Sequence, residues 1–316
     1  YWKHGAVLLF TAALMLLTLV LIPGVGTEVN GSTRWLNLGI MTIQASELAK
    51  LFIVVFMAWL LSEKREWICH SWKGFLSPLI LVAIPAALLL KEPDLGAVVV
   101  LMIAVFGMMF LAGVNLMKFI LVTVLAAGSA IALIVSSDYR QQRLQSFIQA
   151  LSDPFHEDVV YGTGYQLAQA LIAFGRGEWF GVGLGNSIQK MYFLPEAHTD
   201  FVFAIIAEEL GFVAVVLLMT LFLVFIARAM IIARRNEKCG QWFAAYFAYG
   251  ITFLFAAQVV INVAVNTGLI PTKGLTLPFL SYGGSSLIVC LVMVAILIRI
   301  DIENYFMANR KQQVKP

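Results

Sequence analysis

The chain has 316 residues, of which 61% are hydrophobic and 12% are charged, with a formal net charge of +3 at pH 7 and a mean hydropathy of +0.89. Soluble domains are typically about 25% charged, so this composition excludes a soluble globular enzyme. The small net charge gives no indication of nucleic-acid binding. We therefore predict a protein that is embedded in a membrane over most of its length.

Eight apolar runs are long enough, together with their flanking residues, to cross a bilayer as helices. Each such span needs about 20 residues, and helical bundles satisfy their backbone hydrogen bonds in lipid. We therefore predict an all-α fold, a polytopic transmembrane helical bundle with eight spans in this chain. The runs are residues 6–22, 48–61, 76–90, 95–111, 116–135, 201–227, 243–263 and 286–300.

Lys and Arg residues flank these runs unevenly, and positive residues mark the cytoplasmic side. With the amino terminus inside, the short outer loops hold only Arg34, Lys91 and Lys273. The long segment 137–200 then lies outside, in the periplasm or its equivalent. None of the three cysteines falls on that oxidising side, so we predict no disulfide and no cysteine-based metal site.

Residues 137–200 are a polar and glycine-rich interruption between two apolar runs, and loops of this length between spans are usually functional. The spacing of residues 165–174 predicts a short amphipathic helix, which we expect to lie on the outer membrane surface. The segment ends with Glu196, His198 and Asp200 just before an apolar run. Because a charge at the edge of the hydrocarbon is costly, Asp200 is the main candidate for a functional acid.

A first outer segment carries Arg34 and leads into Glu47 and Lys50. Arg34 is either an interfacial anchor or a binding group. Glu47 and Lys50 are three residues apart and can pair on one helical face. Lys50 lies about one turn inside its span, where it is either a snorkelling side chain or a buried cation that faces a polar cavity.

A third outer segment, residues 266–286, is too apolar for a free loop. Its two prolines and four glycines exclude a regular helix, so we expect it to re-enter or to lie against the bundle. On the preceding span, Gln258, Asn262 and Asn266 form a polar stripe at steps of four residues. Lys273 is the strong cation of this segment and is either an interface lysine or a binding group.

Together, these segments place one carboxylate and several cations on the predicted outer side. A carboxylate base with cations suits transfer from a lipid-linked diphosphate, because the base accepts a proton from a hydroxyl while cations stabilise the departing diphosphate. The sequence contains no Walker loop, Rossmann fingerprint or HExxH motif, so no nucleotide is predicted. On the residues alone, a transporter remains an equally good interpretation.

Seven short segments resemble the SEDS family (shape, elongation, division and sporulation), in an order and spacing that match over nearly the whole chain. They are Arg34–Gly39, Glu47–Lys50, Glu92–Gly96, Gly162–Gln166, Leu194–Phe201, Ala207–Gly211 and Leu280–Ser286. Residues 195–198 and 271–278 resemble the division member of the family more than the elongation member.

The resemblance implies a single membrane domain of ten spans, of which this chain would lack the first two, with residues 137–200 as its large extracytoplasmic loop. It implies a peptidoglycan glycosyltransferase that polymerises lipid II at the outer face of the inner membrane, at the division septum. Asp200 would be the general base or a metal-linked carboxylate, with Mg or Mn as the divalent cation. The residues expected to bind substrate are Arg34, Glu47, Lys50, Glu196, His198, Lys273, Ser281 and Tyr282.

The implied partners are a class B penicillin-binding protein, which cross-links the product, and other division proteins; no nucleic acid is expected. Three alternatives remain: a lipid II flippase, a non-catalytic scaffold that recruits a transpeptidase, and an elongation-type polymerase. A flippase should have polar groups in both halves of the membrane, and a scaffold does not require an acid at Asp200. For an enzyme, alanine at Lys50 or Lys273 should weaken polymerisation without unfolding the protein.

Overall fold

The computed structural model describes residues 2–29, 32–37, 39, 42–136, 141, 145, 147–149, 164–271 and 274–313. Helices dominate these residues, and one small sheet precedes the second helix. The α-helices are α1 Ala6–Val20, α2 Ala45–His70, α3 Trp72–Lys91, α4 Leu95–Leu111, α5 Leu116–Val135, α6 Tyr165–Gly177, α7 Val202–Lys238, α8 Trp242–Asn266 and α9 Gly284–Gln313, and a short π-helix covers Gln189–Phe193.

The apolar helices coincide with the predicted runs. In the described part of the chain, α2, α3, α7, α8 and α9 are long and apolar enough to cross a membrane, and three shorter apolar helices lie in α1, α4 and α5. The predicted polytopic helical membrane protein is therefore confirmed, whereas the number of spans stays a prediction. Most helices extend beyond their apolar runs because the polar residues at the membrane interface remain helical.

A three-stranded antiparallel sheet, which we did not predict, occupies the segment before α2. Its strands are β1 Gly26–Val29, β2 Ser32–Asn37 and β3 Thr42–Gln44, in the order β1-β2-β3. Trp35 pairs with Gln44 across β2 and β3. The sheet fixes Arg34 on β2 and leads directly into the first turn of α2.

The chain divides into two compact units. The first comprises Tyr1–Phe119, Phe225–Ala257 and Gly284–Pro316, and the second comprises Ile120–Val224 and Gln258–Gly283. In the first unit, α8 lacks a side chain at Gly250, where a Cβ atom would lie 2.4 Å from Val54 Cγ1 and 2.8 Å from Met108 Sδ. Small residues of this kind let membrane helices approach closely.

The second unit contains the segment that ends in Asp200. An apolar cluster joins α6, through Ala170 and Ala173, to Leu194 and Ala197 of that segment; it also includes the start of α7 and Val265 of α8. The predicted helix at 165–174 is thus confirmed as α6, but its apolar face packs against protein. The residues around Leu194 supply the apolar partner of this face, and the expected position of the helix on the outer membrane surface stays a prediction.

Candidate active site

Asp200 lies in a tight turn that ends where α7 begins. The N–H groups of Thr199, Asp200 and Phe201 all donate to the carbonyl oxygen of Glu196, at 3.1, 3.2 and 3.3 Å. Glu196 adopts a φ of 58°, a left-handed conformation that is uncommon for residues other than glycine. Leu194 and Phe201 are buried on either side, and Asp200 is half-buried. The turn therefore has a defined shape that presents the Asp200 side chain at its end.

Residues 274–282 form the second wall of this site. Ser281 Oγ donates to the carbonyl oxygen of Thr199 and accepts from the Leu277 N–H, while the Tyr282 N–H donates to the carbonyl oxygen of His198. A Cβ atom on Gly274 would lie 2.9 Å from an Asp200 carboxylate oxygen. The backbone at Gly274 therefore lines the carboxylate closely, and a side chain there would displace it.

Two buried asparagines of α8 hold the same turn from a third direction. Asn262 Nδ2 and Asn266 Nδ2 both donate to the Asp200 carbonyl oxygen, at 3.0 and 2.9 Å. Asn262 Nδ2 also donates to the Leu275 carbonyl oxygen at 2.6 Å. Asn266 Oδ1 accepts from the Ala204 N–H in the first turn of α7 at 3.2 Å. Two members of the polar stripe predicted on this span, Asn262 and Asn266, thus point at the main chain of the acidic turn.

Beyond this turn, α7 is broken at Gly211, which has a φ of 76° and a ψ of −176°. The Phe212 and Val213 N–H groups lose their helical acceptors and donate instead to the carbonyl oxygens of Glu178 and Trp179, at 2.9 and 3.2 Å. The carbonyl oxygens freed at positions 208 and 209 accept from the N–H groups at positions 182 and 183, both at 3.0 Å. Residues 178–183 therefore satisfy the backbone groups that the break exposes.

Two carboxylates of α7 reinforce this contact. Glu208, which is fully buried, accepts from Arg176 Nη1 at 3.0 Å and from Ser187 Oγ. Glu209 accepts from Lys190 Nζ and from the Ser187 N–H. Because buried carboxylates require such partners, the pair anchors the chain between α6 and residue 190. That chain leads directly into the turn that holds Asp200.

In the first unit, Glu47 and Lys50 form a buried ion pair of 2.8 Å, with 5% and 2% of each residue exposed. The pairing predicted from their spacing is therefore present, and Lys50 does not snorkel. Arg34 donates to two main-chain oxygens, Glu92 O at 3.3 Å and Pro93 O at 2.7 Å. The guanidinium thus joins β2 to the turn between α3 and α4.

Glu92 lies at that turn with no exposed surface, and neither carboxyl oxygen has a hydrogen-bond partner in the described part of the protein. Burial raises the pKa of the Glu92 carboxyl to about 8; the nearby Asp94 charge acts in the same direction, and Arg34 opposes both. Glu92 is therefore mostly protonated at neutral pH.

The remaining predicted residues fall into three groups. Glu196, His198, Ser281 and Tyr282 lie in the second unit with Asp200, where Glu196 Oε2 accepts from Thr199 Oγ1 at 2.7 Å. Arg34, Glu47 and Lys50 belong to the first unit. Lys273 lies outside the described residues. In the described part of the chain, no three His, Cys, Asp or Glu side chains gather as metal ligands.

Comparison with known proteins identifies the family. The FTSW_RODA_SPOVE model of cell cycle proteins matches residues 1–305. The chain belongs to this family. Two relatives, one from Hahella chejuensis and one from Pseudomonas fluorescens, are 52% and 50% identical to this chain over 303 residues. These matches cover 96% of this chain and 75% and 73% of the relatives, which are both named "Probable peptidoglycan glycosyltransferase FtsW".

Solved structures agree with this assignment. A chain from a peptidoglycan synthase complex that coordinates polymerization and crosslinking superposes with a TM-score of 0.76 at 31% identity, covering 96% of this chain and 82% of that chain. RodA of Thermus thermophilus superposes with a TM-score of 0.67 at 31% identity, covering 96% and 79%. The predicted SEDS membership, closer to FtsW than to RodA, is confirmed by the family match and the FtsW relatives.

The buried pair in this SEDS chain revises the expectation for Lys50. Lys50→Met should lower the free energy of unfolding by about 3–5 kcal/mol, because it leaves the Glu47 carboxylate buried without its partner. Thermal unfolding of the purified protein in detergent measures this. The exposed Lys3–Glu63 pair has a similar length of 2.7 Å, and Lys3→Met should cost less than about 1 kcal/mol. Equal losses in the two variants would contradict the buried pairing.

The raised pKa of Glu92 predicts that the stability of the protein depends on pH. Its pKa rises from an ordinary 4.5 to about 8 on folding, so the folded state binds the proton more tightly than the unfolded chain. This contribution is fully present below pH 4.5 and is lost as the pH rises through 8. The melting temperature of wild type should therefore fall relative to Glu92→Gln between these values. The exposed Glu66→Gln serves as control, and parallel curves for wild type and Glu92→Gln would contradict the prediction.

Several residues that shape this SEDS site were missed as site residues from the sequence. Asn262 and Asn266 were recognised as a polar stripe, but their spacing did not reveal that the Asp200 turn is their acceptor. Gly274 and Thr199 carried no signal of their own. For the asparagines, the available signal was that buried amides require hydrogen-bond partners.

Proposed function

We propose that the chain is a peptidoglycan glycosyltransferase of the FtsW type, which polymerises lipid II into glycan strands during cell division. The names of the relatives and of the solved complex support the activity. The observation that carries the proposal is the Asp200 turn. Asp200 is half-buried, and its main chain is held by two asparagines, by residues 274–282 and by its own tight turn, so its carboxylate is prepared for proton transfer with little reorganisation.

In the proposed reaction, the Asp200 carboxylate accepts the proton of the 4-hydroxyl on the GlcNAc of an acceptor lipid II. The hydroxyl oxygen forms a bond to the anomeric carbon of the lipid-linked MurNAc that ends the growing chain. The bond from that carbon to the diphosphate oxygen breaks, and undecaprenyl diphosphate departs with the electron pair. The linkage inverts from α to β, and Asp200 returns its proton to water.

We further propose that cations stabilise the departing diphosphate. Arg34, Lys50 and Lys273 are the candidates, and Lys50 would act together with its partner Glu47. A divalent cation, Mg or Mn, would find one protein ligand in Asp200, and the other ligands would be diphosphate oxygens and water. When bound, it would neutralise negative charge on the diphosphate.

The other predicted binding residues differ in whether their side chains are already engaged in hydrogen bonds within the protein. Ser281 Oγ is engaged by two main-chain groups, so we propose that it shapes the site. Tyr282 leaves 81% of its surface exposed and His198 is also exposed, so these rings are available to a saccharide. Glu196 accepts from Thr199, so we propose that it holds the turn.

We place the reaction on the periplasmic side of the inner membrane, at the division septum. The charge bias of the loops supports this orientation. The proposed partner is a class B penicillin-binding protein, with further division proteins. The solved complex that coordinates polymerization with crosslinking supports the kind of partner, because a strand polymerase and a transpeptidase act on successive states of one product.

The experiment supplies labelled lipid II to the purified protein with its transpeptidase partner, and separately to vesicles that report lipid II movement across the bilayer. A polymerase yields glycan strands from wild type and none from Asp200→Ala. Movement of lipid II without strands would favour the flippase. Neither activity, despite an intact complex, would favour the scaffold.

A further inference from the structure

Asn262 and Asn266 connect the acidic turn to two other backbone segments. Their Nδ2 groups converge on the Asp200 carbonyl oxygen, at 3.0 and 2.9 Å. Asn262 also reaches the Leu275 carbonyl oxygen at 2.6 Å, and Asn266 accepts from the Ala204 N–H at 3.2 Å. The turn, the start of α7 and the segment that lines the carboxylate are therefore joined through two side chains.

The two amides are also joined to each other and are shielded from water. Asn266 Nδ2 donates to the main-chain oxygen of Asn262 at 2.9 Å. Asn262 is 1% exposed and Asn266 is fully buried. In such a low-dielectric environment, each hydrogen bond is strong and no water replaces a lost partner.

We propose that Asn262 and Asn266 are positioning residues for Asp200, which fix the carboxylate in its reactive orientation without touching substrate. The inference rests on the proposed function. The Asp200 N–H is held by Glu196 and its carbonyl oxygen by the two amides. Both peptide groups that flank the side chain are thereby fixed, so the direction of the Cα–Cβ bond is fixed as well.

The contact to Leu275 extends this control to the opposite wall. Gly274, the neighbour of Leu275, lies so close to the carboxylate that a Cβ there would approach an oxygen to 2.9 Å. Asn262 thus sets the separation between the acid and the backbone that lines it. Loss of the Asn262 amide would remove this link, while the contacts of Ser281 and Tyr282 with the turn would remain.

Gln258 provides a matched control on the same helix. It lies one turn before Asn262 on the same stripe and is 2% exposed. Its Oε1 has no hydrogen-bond partner in the described part of the protein, so this oxygen holds no part of the acidic turn. Gln258→Met keeps the side-chain length and removes a buried amide of the same kind. It therefore measures the effect of losing a buried amide that does not position Asp200.

The experiment compares Asn266→Ala, Asn262→Ala and Gln258→Met with wild type in lipid II polymerisation by the complex with its transpeptidase. The kcat, KM and melting temperature are measured for each. We expect kcat to fall about tenfold to a hundredfold in both asparagine variants, since small misplacements of reacting groups have effects of this size. KM should change less than about threefold, and Gln258→Met should retain the wild-type kcat.

A wild-type kcat in folded asparagine variants would overturn the inference, as would a loss that appears only in the melting temperature. An equal fall of kcat in Gln258→Met would also overturn it. If Asn266→Ala fails to fold, Asn262→Ala decides, because Asn266 still caps α7 in that variant. Absence of strands from wild type would instead reject the proposed function.

Discussion

Exchanging Asp200 for asparagine is expected to lower the rate of glycan-strand formation by about 10²- to 10⁴-fold, the usual contribution of a positioned general base. The amide has nearly the same shape as the carboxylate, so it can occupy the same space beside Gly274. It cannot accept a proton from the sugar hydroxyl. The contacts of the Asp200 main chain with Glu196, Asn262 and Asn266 remain, and the melting temperature should change little.

The measurement is the initial rate of polymerisation with saturating lipid II, which separates loss of catalysis from loss of binding. Glu178→Gln is the matched control, because Glu178 is an exposed carboxylate of the same unit that contacts α7 through its main-chain oxygen. This control should keep at least half of the wild-type rate. An Asp200→Asn protein that polymerises within tenfold of wild type would remove Asp200 from the role of base.

Gly211→Ala should cause a large loss of stability. Its φ of 76° with a ψ of −176° belongs to a region that is nearly restricted to glycine. A Cβ atom would lie 2.4 Å from the Gly181 nitrogen and 2.6 Å from Phe180 backbone atoms. Backbone cannot move aside as a side chain can, so the segment that fills the break in α7 must separate. We expect a loss of more than about 4 kcal/mol, the range reached by exceptional substitutions.

Gly175→Ala is the control for this prediction. Gly175 lies in α6 and is exposed, and a Cβ atom added there would have no heavy atom within 4 Å. Alanine there should be neutral or should stabilise by about 0.5–1 kcal/mol, since glycine is unfavourable inside helices. Thermal unfolding and the yield of monodisperse protein in detergent measure both variants. A Gly211→Ala protein as stable as Gly175→Ala would show that residues 178–183 do not occupy the break.

Much of the fold could be predicted from the sequence because hydrophobicity along a membrane chain is a local signal. The runs at 201–227 and 243–263 became α7 and α8, and the spacing at 165–174 became α6. The ion pair of Glu47 with Lys50 also followed from a local rule, the proximity of residues three apart on a helix.

Long-range backbone contacts could not be predicted in this way. The break at Gly211 falls inside a sequence that is typical of a continuous helix, and its replacement partners lie about thirty residues earlier. Arg34 finds its acceptors in the turn after α3, and Asn266 finds Asp200 from another helix. In each case a side chain or backbone group finds a hydrogen-bond partner on a distant segment, and periodicity carries no information about which partner that is.

The structural features of the second unit support one another. Glu208 and Glu209 anchor the chain between α6 and residue 190 to the break in α7, and an apolar cluster around Leu194 and Phe201 continues that contact to the acidic turn. Packing holds the turn from one side and hydrogen bonds hold it from another. A carboxylate supported in this way is suited to catalysis because its orientation is established before substrate binds.

The most direct test is a structure of the Asp200→Asn protein with lipid II bound as acceptor. The distance to measure joins the 4-hydroxyl oxygen of the GlcNAc to the nearest side-chain atom at position 200. We predict a separation of about 2.6–3.2 Å, or one bridging water between the two groups. A fully occupied acceptor whose hydroxyl lies beyond the reach of one water, at more than about 6 Å, would contradict the assignment of Asp200 as the base.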